Sequence, residues 1–172
     1  MGRSKMKNYH YKMCGLDYVH LYNGYNIHDT AYGRGVSIER ADELDRTIAL
    51  YVLVSHARLR GQEIRFLRSL THLSQAEIAT LLGIKRITVA RWEGAPDTPI
   101  PGPADRAFRT LVAKHLFEDE MIGMVVERYS EITDERPEPL IMTLGPIKED
   151  ERQTSLFPEV ERGNDGWKVK AA

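Results

Sequence analysis

The chain has one cysteine, Cys14, among 172 residues. No intramolecular disulfide can form, and a reducing compartment fits best. No apolar run approaches the roughly 18–20 residues that span a bilayer. The basic start, Met1 to Asn8, has no apolar segment behind it and does not read as a secretory signal. The expectation is a cytoplasmic protein with no membrane partner. Catalytic signatures are missing too: there is no Gly-x-Ser-x-Gly, no P-loop and no His-Glu-x-x-His. Cys14 has His10, His20 and His28 close by in sequence, but their spacing is unlike that of a zinc site. No enzyme, metal or cofactor is expected. What remains is ordinary: 42% hydrophobic and 28% charged residues exclude a collagen, a low-complexity polymer and a wholly disordered chain. The length suits one large domain or two small ones.

The net charge of −1 is uninformative, but its distribution is not. Residues 1–55 carry 7 Lys+Arg against 6 Asp+Glu, residues 56–116 carry 10 against 5, and residues 117–172 carry 7 against 14. A basic middle beside an acidic end is the asymmetry of a chain in which one segment meets a polyanion.

The pattern predicts an α+β chain in four segments: 1–55, 56–116, 117–147 and 148–172. In the first, Asn23-Gly24 between Tyr18–Tyr22 and Tyr25–Ile27 predicts a hairpin. A second turn is expected at Gly33-Arg34-Gly35, with a short strand Val36–Ile38. This gives a small antiparallel sheet, too small to stand alone. It is expected to pack on a helix from Asp42 to about Ser55, with Leu44, Ile48, Tyr51 and Val52 inward and Ala49 on the other face. A helix opens at Gly61-Gln62 with Ile64, Leu67 and Leu70 inward. Four prolines in Ala95–Pro103 predict a stiff extended loop. Helix resumes at Ala104, with Phe108, Leu111, Val112 and His115 on one face. Glu118 to Tyr129 carries a second apolar stripe through Met121, Ile122, Val125 and Val126, and Leu140–Leu144 suits a strand. The stripe or the strand is the candidate dimer surface, and the 1–55 module is expected to support a dimer or bind a protein partner. Residues from about 148 onward are expected to form a disordered acidic tail.

The informative stretch runs from Leu73 to Gly94. Ser74 can cap a helix, and Glu77 three residues on completes a capping box. Ala76, Ala79 and Leu82 fall on one face beside Ile78, and the small Ala79 lets another helix cross closely. Gly83 supplies the positive φ that ends the helix. A second helix begins near Lys85 with Val89 and Trp92 inward and Lys85, Arg86, Ile87, Ala90 and Arg91 outward. Two short helices around a glycine make a helix-turn-helix. In such a unit the start of the second helix can enter the DNA major groove. Arginine pairs with guanine O6 and N7, and isoleucine can touch a thymine methyl. Gln75, with backbone N–H groups at the first helix's start, can meet a phosphate. Arg58, Arg60, Arg65 and Arg68 on the preceding segment read as surface charge.

The string Ser-Gln-x-x-x-Ala-x-x-x-Gly-Ile-x-x-x-Thr-Val-x-x-Trp-Glu, at Ser74 to Glu93, resembles the Cro/phage-repressor helix-turn-helix family, the XRE type. The resemblance covers about residues 58–116. It implies an all-α, five-helix, lambda-repressor-like domain, double-stranded DNA as partner, and a homodimer reading a palindromic operator as a transcriptional repressor. It places Gln75 and Thr88 on phosphates and Arg86, Ile87 and Arg91 on bases, with Lys85 in either role. Lys85 departs from the family, which often has a capping Ser or Thr there. The order of a small β module before this domain resembles, more weakly, the MqsA-like antitoxins, without their Cys-x-x-Cys pairs. That likeness implies a second reading, an antitoxin that neutralises a toxin-like protein partner and represses its own operon.

Overall fold

The computed structural model describes residues 8–145 and 166–170. Among them the chain is α+β, with a small mixed sheet, a two-stranded ribbon and six α-helices. It divides into two compact units. One takes in the described residues up to Lys12, Asp17–Thr47 and those from Pro139 onward; the other takes in Met13–Leu16 and Ile48–Glu138. The boundaries therefore differ from the four expected segments.

In the first unit, β1 (Tyr9–His10), β2 (Val19–Leu21), β5 (Leu140–Leu144) and β6 (Trp167–Val169) make one sheet in the order β1-β2-β5-β6. β2 pairs antiparallel with β1 but parallel with β5, and β5 pairs antiparallel with β6. The expected all-antiparallel N-terminal sheet is thus replaced by a mixed sheet drawing half its strands from the other end of the chain. Alternation along β2 buries Val19 and Leu21 and leaves His20 half-exposed. Met142 and Trp167 are buried on the neighbouring strands.

The hairpin expected at Asn23-Gly24 does not form, because the strands on either side belong to different sheets. Asn23 instead acts on β5. Its amide donates to the Leu144 carbonyl at 2.8 Å and accepts the Leu144 N–H at 2.6 Å. Gly24 has φ 73°, and a Cβ there would stand 2.5 Å from the Trp167 ring. The glycine is needed for that ring as well as for its backbone conformation. Trp167 is further held through its indole N–H to the Glu39 carbonyl at 2.9 Å. The true hairpin joins β3 (Tyr25–Thr30) to β4 (Gly33–Ile38) through Ala31-Tyr32, two residues before the expected turn, and Gly33-Arg34-Gly35 is strand. The expected tail is corrected at its end, where Trp167–Val169 is a strand. Its stretch 148–165 lies outside the described residues.

Helix α1 (Ala41–Val54) supplies residues to both units. Ala49, expected on the outer face, is fully buried along with Ile48, Leu50 and Leu53. The second unit continues with α2 (Gly61–Thr71), α3 (Gln75–Leu82), α4 (Arg86–Glu93), α5 (Gly102–Leu116) and α6 (Asp119–Glu127). Residues 56–116 therefore hold four helices, and a fifth lies beyond them. The proline-rich segment is a turn and an extended stretch whose Ile100 N–H bonds the Leu59 carbonyl at 2.9 Å. α5 begins at Gly102, two residues earlier than expected, with a proline in its first turn where no N–H is missed.

On α5 the buried positions include Asp105, Phe108, Arg109 and Val112, while His115 is exposed, which corrects the expected stripe. Asp105 and Arg109 are an ion pair with no exposed side-chain surface, Nε to Oδ1 at 2.6 Å. The Arg109 guanidinium also donates to the carbonyls of Leu53 at 2.8 Å, Ser55 at 2.9 Å and Ala57 at 2.6 Å. It closes the C-terminal end of α1, whose last carbonyls have no helical partner. The candidate dimer surfaces are covered in part within the chain: Met121 and Ile122 are half-buried and Val126 is exposed. Val125 of α6 is fully buried and Tyr129 donates to the Arg106 carbonyl, while β5 has a strand on each side.

Candidate nucleic-acid interface

The α3–α4 pair is set by local chemistry. Ser74 Oγ accepts the Glu77 N–H at 3.2 Å, and the Glu77 carboxylate accepts the Ser74 N–H at 2.8 Å, closing the capping box. These bonds from Ser74 hold the Glu77 carboxyl below its ordinary pKa. Gly83 sits at φ 68°, and Ile84 donates back to the Ala79 carbonyl at 2.9 Å, which stops α3. Ile78 and Ala79 bury α3; Ala76, expected beside Ala79, is exposed. Val89, with no exposed surface, anchors α4, and Trp92 is half-buried.

Anchoring through Val89 fixes which side of α4 faces outward. Lys85, Arg86, Ile87 and Arg91 are exposed; Thr88 and Ala90 are half-buried. Ile87 has 55% of its surface open to solvent, unusual for an isoleucine on a packed helix. Lys85 takes the N-cap position in extended conformation without a side-chain cap, so its ammonium is not committed to the helix end.

Behind this face lies a hydrogen-bonded relay. Arg68 of α2 grips the Glu93 carboxylate with two donors, at 2.5 and 3.0 Å, and donates to the Leu73 carbonyl at 3.0 Å. The Gln75 amide donates to Glu93 at 3.0 Å and accepts from Arg86 at 3.1 Å. Glu93 is nearly buried. Burial alone would raise its carboxyl pKa, but the hydrogen bonds from Arg68 and Gln75 and the charges of Arg68 and Arg65 outweigh it and hold the pKa low. The same bond to Glu93 raises the pKa of Arg68. Three helices are thereby tied together, and Arg86 is oriented through Gln75.

The structure brings Gln75 and Arg86 into contact and sets Lys85, Ile87 and Arg91 with Arg86 on one helix. Thr88 is on the same helix but partly covered. Gln75, expected to meet a phosphate, has both ends of its amide engaged and keeps one Nε2 hydrogen for a ligand. Among the four arginines read as surface charge, Arg65 is exposed and Arg58 reaches Asp134 at 2.6 Å, but Arg60 is buried and Arg68 holds the relay. No local signal separates Arg68 from its neighbours, since its partner lies 25 residues away.

His10 and His20, cross-strand partners in β1 and β2, stack with centroids 4.7 Å apart, and His28 bonds Ser37 at 2.8 Å. Among the described residues no three His, Cys, Asp or Glu side chains are grouped to hold a metal, and no helix is long and apolar enough to cross a membrane. No family model, curated protein or solved structure matches the chain.

Proposed function

We propose that the chain is a sequence-specific DNA-binding transcriptional regulator, a dimeric repressor that reads a palindromic operator through α4. The five helices α2–α6 form the repressor-like domain in this reading. The observation that carries it is the composition of the outward face of α4: two arginines, a lysine and an open isoleucine on a helix held from behind by Val89 and the Glu93 relay.

In the wide groove Arg86 and Arg91 offer forked donors to guanine, and Ile87 offers a methyl to thymine. Lys85 at the helix start reaches a phosphate or a base. Thr88, the remaining Gln75 hydrogen and the first-turn N–H groups of α3 bear on the backbone and fix register. Preset geometry lowers the ordering cost of binding, because Arg86 need not search its rotamers. One such helix gives too few contacts to stand out from genomic DNA, so two copies read half-sites about 34 Å apart, or a multiple of that.

The test recovers bound sequences from random duplexes and then titrates the enriched site at fixed salt. Arg86→Ala and Arg91→Ala should each weaken binding by about 1–3 kcal/mol and relax one base position. Lys85→Ala should weaken all sequences alike if it meets a phosphate, with a shallower salt dependence. Wild-type affinity in both arginine variants, or no enriched sequence, removes the reading.

A further inference from the structure

The β3–β4 ribbon carries an exposed face that nothing described so far uses. Six cross-strand pairs run from Tyr25–Ile38 at its base to Thr30–Gly33 at its tip, with no bulge. Among the described residues no other strand pairs with it. Side chains alternate, so one face carries Tyr25, Ile27 and Asp29 opposite Ile38, Val36 and Arg34. The base of that face is covered, with Tyr9 against Tyr25 at 5.1 Å between centroids. Beyond it Val36 is half-buried, Ile27 is 52% exposed, and the Asp29 and Arg34 side chains are 91% and 73% exposed. Tyr32 at the tip is fully exposed. A two-stranded ribbon is marginal in water by itself, and the open isoleucine on it favours burial.

We propose that this face docks on the same face of a second copy of the chain, about a two-fold axis along the ribbon. Under that symmetry β3 of one copy lies over β4 of the other. Each residue then faces the copy of its own cross-strand partner: Ile27 meets Val36, and Asp29 meets Arg34. The face suits that occupant because each pair on it is complementary in kind, apolar with apolar and acid with base, and an isologous contact needs such self-complementarity. Its one acid and one base leave residues 25–38 with no net formal charge, so a strongly charged partner gains nothing there. Asp29 and Arg34 stand 3.7 Å apart within one ribbon, a loose pair free to be shared. The four pairs from Ile27–Val36 to Thr30–Gly33, beyond the covered base, span about 14 Å by about 10 Å and offer on the order of 140 Å², against the roughly 800 Å² per partner of a standard interface. The association is accordingly weak and appears at high protein concentration; two DNA half-sites would strengthen it. The inference rests on the dimeric part of the function proposed above and names the surface that supplies it.

Sedimentation equilibrium of the full chain without DNA, over a wide concentration range, provides the test and separates it from DNA binding. Wild type should self-associate, and Ile27→Lys should lower the association constant at least about tenfold, since a lysine costs both apolar burial and neutrality. Asp29→Arg and Arg34→Asp should each weaken self-association several-fold, and an equimolar mixture of the two variants should associate more tightly than either alone. That last result cannot come from repair within one ribbon. A monomer at every concentration overturns the proposal, leaving the ribbon to a different protein. A dimer indifferent to all three substitutions places the contact elsewhere and overturns it too. A dimer sensitive to Ile27→Lys but showing no gain on mixing overturns the two-fold register.

Discussion

Replacing Arg109 by methionine tests what a buried arginine does when it serves two roles. The side chain has no exposed surface, and its guanidinium satisfies Asp105 together with the carbonyls of Leu53, Ser55 and Ala57. Asp105 in turn accepts the Leu59 N–H at 2.6 Å. Arg109→Met leaves a buried carboxylate without its cation, a loss of about 3–5 kcal/mol. Carbonyls deprived of a donor add to this, at about 1–3 kcal/mol for each left unsatisfied. For a chain of this size the first contribution alone lowers the melting temperature by roughly 6–20 °C. The double variant Asp105→Leu/Arg109→Met separates the roles. Were the two residues only an ion pair, apolar replacement of both would restore or exceed wild-type stability. Because the carbonyls of Leu53, Ser55 and Ala57 lose their donor in both variants, and the Leu59 N–H loses its acceptor in the double variant alone, the double variant should lie between Arg109→Met and wild type. Urea unfolding followed by far-ultraviolet circular dichroism on all four members of the cycle gives the comparison. A double variant as stable as wild type refutes the capping role.

Glu93→Gln removes the charge that Arg68 grips. It should cost about 1–3 kcal/mol in stability and loosen Arg86 through Gln75, so under the proposed function affinity for the enriched DNA site should fall although Glu93 is not one of the proposed contacts; unchanged affinity would show the relay to be idle. The wild-type carboxyl is held low, so its stabilisation is complete above the ordinary value near 4.5 and is lost as pH falls through the native pKa. Acid unfolding of Glu93→Gln should therefore be shallower than that of wild type. His20 acts nearer neutrality: burial first, then neighbouring His10, pull its pKa below 6.5. The unfolded chain takes up that proton first, so stability falls as pH drops below about 6.5 and is whole above it. His20→Phe should flatten this slope in denaturant midpoints between pH 7.5 and 5.5, and an unaltered slope would contradict the assignment. Gly61 starts α2 where a Cβ would stand 2.0 Å from the Trp92 carbonyl oxygen and 2.5 Å from that of Ala95. Gly61→Ala should push α2 off the end of α4 and cost about 1–3 kcal/mol, measured as a lower midpoint; a stabilised variant would contradict the close approach.

The parts of the molecule readable in advance are those whose causes are local. Ser74, Glu77 and Gly83 act within a few residues of themselves, so the limits of α3 and the start of α4 follow from the string. The outward set on α4 follows once Val89 is placed inside. On α5 the reading slips by three positions. The buried face runs through Asp105, Phe108, Arg109 and Val112, and two of those are charged, so an apolar pattern selects Leu111 and His115 in their place. Nothing near Arg109 announces that the end of α1 needs donors. Asn23-Gly24 misleads for a similar reason. Its turn tendency is real, but Leu144 and Trp167 claim the two residues, and both are remote in sequence. Arg68 is hidden for want of any nearby sign of Glu93. The parallel pairing of β2 with β5 has no local signal at all.

That pairing also sets an order of events during synthesis. The stretch from Ile48 to Glu138 is continuous and can fold as soon as it has emerged. The sheet cannot: β1 and β2 are made first, and β5, the strand that pairs with β2, is made only after that whole stretch. Until Leu140–Leu144 arrives, Val19 and Leu21, sealed in the finished molecule, lie on a strand with one edge unpaired. Nascent chains stalled or trimmed before that point should be the sticky, protease-sensitive species of this protein.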